Sequence, residues 1–144
     1  MEYFKAFIGG FVATLVCHQG VYTLFYMAGA ALPAPPFNMA ATAPLGIPAV
    51  ISLAFWGGIW GLPIWWMLRN AHGAGYWLRA LILGAVLPSA VALFIVFPIK
   101  GMAFAAGWNP QVIIGALILN GAWGLGVALF MCLANRPAGA PAGT

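Results

Sequence analysis

Residues 6–68 read AFIGGFVATLVCHQGVYTLFYMAGAALPAPPFNMAATAPLGIPAVISLAFWGGIWGLPIWWML and contain no Asp, Glu, Lys or Arg. A water-soluble domain carries about 25% charged residues. A surface built from this stretch would be apolar, and only a lipid solvent tolerates that. The rest of the chain continues the pattern. Its charged residues are Glu2, Lys5, Arg69, Arg79, Lys100 and Arg136, 4% of the sequence against 65% hydrophobic residues. The mean hydropathy is +1.03. The chain reads as an integral membrane protein.

A hydrocarbon core about 30 Å thick takes about 20 apolar helical residues to cross. Four stretches qualify, at about 4–31, 48–68, 77–99 and 111–134. The fold expected is all-α, a four-transmembrane-helix bundle forming one membrane domain over 1–137, with a disordered tail at 138–144. A cleaved signal peptide does not fit the first stretch. Signal h-regions run about 7–15 residues, whereas this one is longer and holds His18 and Gln19 in its middle.

The cations fix an orientation rather than a nucleic-acid site. Scattered singly and without aromatic interleaving, they form no basic patch. With a cytoplasmic N-terminus, Lys5, Arg69, Arg79 and Arg136 fall on the cytoplasmic side and Lys100 alone on the other. That asymmetry follows the positive-inside rule. It predicts cytoplasmic N- and C-termini, and the short loops suit a bacterial inner membrane.

Pro33, Pro35 and Pro36 end the first helix, and Ala31 to Ile47 forms an uncharged loop expected at the membrane surface or folded back on the bundle. Thr42 or the region Pro44 to Pro48 is expected to start helix 2. Pro63 is expected to kink that helix, and Asn70 to Gly75 to form a short turn. A faint repeat links the halves. Gly58-Ile59-Trp60-Gly61-Leu62 resembles Gly121-Ala122-Trp123-Gly124-Leu125, and Lys5 and Gly10 share their spacing with Arg79 and Gly84. The unit would be a hairpin of two crossings, and two such hairpins must run parallel.

Polar groups at membrane depth are costly and mark candidate sites. His18, Gln19, Ser89 and Asn120 fall at comparable depth and are expected to form one midplane cluster, either joining the helices or lining a path. His18 is also a weak candidate ligand for haem or chlorin, although His72, the other histidine, lies in a turn. No other cofactor and no metal is expected. Gly57, Gly58, Gly61, Gly121 and Gly124 let another backbone approach. Trp60 and Trp123 sit too deep for an interfacial belt and are expected at a packing seam or against a planar ligand. Asn109 before Pro110 reads as a helix cap, and Asn38 as a loop hydrogen-bonding residue. Cys17 and Cys132 lie at different depths and read as free thiols.

Asp is absent and Glu2 is terminal. This removes carboxylate-based acid–base catalysis and proton coupling through a helix carboxylate, so no enzymatic role is expected. The leading expectation is an accessory or structural subunit that packs against itself or a larger membrane complex. One alternative is a homo-oligomeric channel or carrier for a small neutral or anionic solute. Another is a pigment- or haem-binding protein using His18. The lipid bilayer is a partner in every case; nucleic acid is not.

Overall fold

The computed structural model describes residues 1–136, and the tail at 138–144 lies outside the described residues. Four helices are long and apolar enough to span a bilayer: α1 (Glu2–Met27), α2 (Ala49–Leu68), α3 (Gly73–Ile99) and α4 (Pro110–Ala134). The chain is a polytopic, all-α membrane bundle.

The helix ends follow local chemistry. Helix α1 stops at Met27 rather than near residue 31, because Gly29 turns left-handed at φ 78°. Its N–H bonds the Tyr26 carbonyl at 3.1 Å, and that of Ala30 the Phe25 carbonyl at 3.0 Å, closing a C-terminal cap of the kind glycine favours. Helix α2 begins after Pro48, whose extended backbone serves as the N-cap, and it runs as a single element through Pro63. Helix α3 starts at Gly73, so the segment expected to end the turn at Gly75 is already helical. Asn109 caps α4, its Oδ1 accepting from Gln111 N–H at 3.0 Å.

Two stretches are π-helical, Thr14–His18 in α1 and Ala92–Val96 in α3. Each adds a residue to a turn and rotates the faces that follow. The first begins where Thr14 Oγ1 donates to the Gly10 carbonyl at 2.9 Å, the back-bonding that strains a helical turn. The second begins one turn after Pro88, which removes an N–H from the ladder.

The helices close pairwise. In the first hairpin, a Cβ at Gly10 would overlap the Gly57 carbonyl and one at Gly61 the Ala6 carbonyl. In the second, a Cβ at Gly84 would meet the Asn120 carbonyl at 2.9 Å, and one at Gly124 would overlap the Ala80 carbonyl. Ala6, Gly10, Gly57 and Gly61 thus stand to one another as Ala80, Gly84, Asn120 and Gly124 do. The repeat visible in the sequence is a repeat of contacts. Small residues permit this approach, and van der Waals contact is what drives helix association in lipid.

Helices α1 and α4 join the hairpins. Gly9 lies against Phe130, and Gly126 against Cys17. Lys5 Nζ donates to the Ala134 carbonyl and to Asn135 Oδ1, both at 2.9 Å, satisfying the end of α4. The N-terminus therefore shares an end of the bundle with residue 136. That end, with the turn between α2 and α3, is called the terminal end here; the opposite one is the loop end. Ile64, Leu68, Ala80, Val127, Ala128 and Met131 pack the terminal half. Helices α2 and α3 touch one another, but the π-helical part of α3 leaves α2 and packs instead against the turn Phe104–Trp108.

The loop between α1 and α2 folds back onto the bundle. Tyr22 donates to the Ala34 carbonyl at 2.9 Å, and Phe37 N–H to Gln19 Oε1 at 2.8 Å. A short antiparallel pair, β1 (Ala41–Thr42) with β2 (Ile47–Pro48), closes it. Thr42 therefore lies in a strand and does not start α2. Gln19→Leu deprives Phe37, held left-handed at φ 51°, of its acceptor. The expected cost is about 1 kcal/mol, visible as faster hydrogen exchange confined to residues 34–40. Unchanged exchange there would mean that the bond does not hold the loop.

Candidate ligand-binding cavity

Parting of α2 and α3 leaves an open-sided cavity of about 1110 Å³ bordered by all four helices, with Leu53, Trp56 and Ile59 exposed along it. One wall is a stripe of α2: Ala49, Ser52, Leu53, Trp56, Gly57, Ile59 and Trp60. These positions recur every three or four residues and so share a helix face. The facing wall is Pro88, Val91, Ala92 and Val96 of α3. Thr14 and His18 of α1 and Asn120 and Trp123 of α4 complete the lining. Thr42, Ala43 and Lys100 border it at the loop end. A second space of about 170 Å³ lies beneath the folded-back loop, between Gln19, Tyr22, Pro35 and Asn38, and shares His18, Ala49 and Leu53 with the first.

The polar residues expected to cluster do not form one network. Asn120 Nδ2 donates to Ser89 Oγ at 2.9 Å, and Ser89 is 1% exposed. Gln19, 6% exposed, is committed to the loop through Phe37. His18 lines both cavities, and its Nδ1 is buried with no hydrogen-bond partner among the described residues. The cause is geometric. Gln19 is held by the folded-back loop and His18 faces the two spaces, while Ser89 and Asn120 belong to the α3–α4 seam.

The other candidates divide by environment. Gly57, Gly58 and Gly61 face α1, meeting Thr14, Phe7 and Ala6, while Gly121 and Gly124 face α3 at Leu81 and Ala80. Trp123 is 2% exposed, and its Nε1–H donates to the Gly10 carbonyl at 2.9 Å. Its counterpart in the first hairpin, Trp60, lines the cavity. Asn38 accepts from the Ala40 N–H through Oδ1 at 2.9 Å and, through its carbonyl, from Val50 N–H at 2.9 Å. Cys17 and Cys132 are free. Among the described residues, no three His, Cys, Asp or Glu side chains stand together. His72 caps α3 at the terminal end, remote from His18.

Sequence reasoning missed Ser52, Ala92 and Lys100 as lining residues. The α2 stripe was the available signal, since Ser52 precedes Trp56 by one turn. Electrostatically the cavity is plain: its lining holds one charged residue, Lys100, and the chain's single acid, Glu2, lies at the other end. Mostly apolar walls with a few placed polar groups are the make-up of a site for a small organic molecule. Comparison of the chain with models of known protein families, with curated sequences and with solved structures returns no match.

Proposed function

We propose that this membrane protein binds an apolar or amphipathic molecule taken from the surrounding bilayer, as a carrier or receptor and not as an enzyme. The observation that carries the reading is the large apolar cavity between α2 and α3. Pockets for drug-sized ligands run about 300–1,000 Å³, so the space admits one molecule of lipid size. It departs from the accessory-subunit expectation and from a homo-oligomeric channel or carrier for a small neutral or anionic solute. The glycine faces that would dock a partner are taken up within the chain, Gly10 against Gly57 and Gly84 against Gly124. It needs no cofactor and no partner beyond lipid. The charge distribution along the chain supports an inner-membrane orientation with both termini cytoplasmic, a point that reporter fusions at the two ends of the loop between α1 and α2 and at residue 136 would decide.

The test is native mass analysis of gently solubilised protein. Wild type is expected to carry an added mass in the lipid range. The double variant Ser52→Phe/Ala92→Phe, which places rings on both walls, is expected to lose it while keeping the same far-UV spectrum. A visible absorption band abolished by His18→Ala would replace this reading with a pigment- or haem-binding one. Equal occupancy in wild type and the filled variant would refute it.

A further inference from the structure

The mouth of the cavity carries a charge with no acidic partner among the described residues. Lys100 follows α3 at the loop end, is exposed, and borders the cavity. Glu2 is the only acidic residue in the sequence and lies at the terminal end, so no acidic side chain among the described residues stands near Lys100. At the same end of the bundle, Phe94, Phe104 and Trp108 form an aromatic group with ring centroids 5.2–6.3 Å apart, and Trp108 is exposed. Exposed Trp beside Lys at the end of a spanning helix marks the level of lipid headgroups. Below that level the lining turns apolar, with Leu53, Trp56 and Ile59 facing Val91 and Val96.

We infer that the ligand is an amphiphile with an anionic headgroup, its acid held at Lys100 and its tail lying between α2 and α3. This rests on the binding reading above and adds the chemistry of the head. The flexible stem of lysine lets the ammonium meet either a carboxylate or a phosphate as a point charge. The parted helices let a tail enter sideways while the head stays at the depth it occupies in the bilayer.

The experiment uses the full chain in neutral detergent and follows quenching of its tryptophan fluorescence. The probes are dibromostearate, dibromostearyl phosphate and dibromostearyl alcohol, which share a tail and differ in the head. One or both anions are expected to bind about tenfold more tightly than the alcohol, the scale of a charge-assisted contact. Which anion does so identifies carboxylate or phosphate as the head. Lys100→Met is expected to remove that preference, and Arg69→Met, a cation lost from the terminal end, to leave it intact. If alcohol and anions bind alike, or if the preference survives Lys100→Met, the headgroup inference falls and the cavity reading stands. If quenching by every probe is the same in wild type and Ser52→Phe/Ala92→Phe, both fall together.

Discussion

Gly10→Val is expected to prevent the first hairpin from closing. A Cβ at Gly10 would overlap the Gly57 carbonyl and come within 3.1 Å of the Gly58 Cα. Those atoms are backbone, which cannot rotate aside, so α1 and α2 must separate along their length. Overpacking costs about 1–3 kcal/mol even where side chains can adjust, and here the upper end or more is expected. Gly84→Val should behave alike, because its Cβ would fall 2.6 Å from the Gly124 Cα. Two helical glycines provide the contrast. Gly20 and Gly115 have nothing within 4 Å of an added Cβ. Alanine there is expected to stabilise by about 0.5–1 kcal/mol through reduced backbone freedom in the unfolded chain. Unfolding in graded mixtures of mild and denaturing detergent, followed by circular dichroism, measures all four. If Gly10→Val matches Gly20→Ala, the close packing of the hairpin is wrong.

The second large effect separates two tryptophans that the repeat makes equivalent. Trp123→Ala removes a buried indole and its bond to the Gly10 carbonyl, and truncations of buried aromatics cost about 3–5 kcal/mol. Trp60 packs against the core but is only half-buried and borders the open space, so Trp60→Ala is expected to cost less stability than Trp123→Ala. Its consequence falls on binding instead, with weaker retention of the cavity's ligand in native mass analysis. Equal destabilisation by the two substitutions would show that the cavity is closed in the membrane.

The four spans were legible because length and uninterrupted apolarity are properties of the sequence alone. Their ends were less so. Ala28 to Ala31 are small and unremarkable, and only the left-handed backbone of Gly29 stops α1 before them. The repeat was legible from Gly58 to Leu62 and Gly121 to Leu125 because close backbone contact demands glycine at fixed spacing. The midplane cluster was not. Depth can be counted along a helix, but the direction a side chain faces depends on every turn before it. The π-helical stretch Thr14–His18 throws a 3.6-residue wheel out of phase where His18 and Gln19 begin. The cavity was hidden for another reason. In a lipid-soluble protein the residues facing acyl chains and those facing an internal space are drawn from the same apolar set, so Trp56 and Val91 look alike whichever they face.

The matched closure of the two hairpins makes the bundle pseudo-symmetric. Hairpins that share a register and run in the same direction are related by an approximate two-fold axis along the membrane normal. The second hairpin has Asn120 where the first has Gly57, and it buries Trp123 more completely than the first buries Trp60. The symmetry is broken at single side chains: one half carries the polar contact between Asn120 and Ser89, and the other the glycine, Gly57, that lets Thr14 approach.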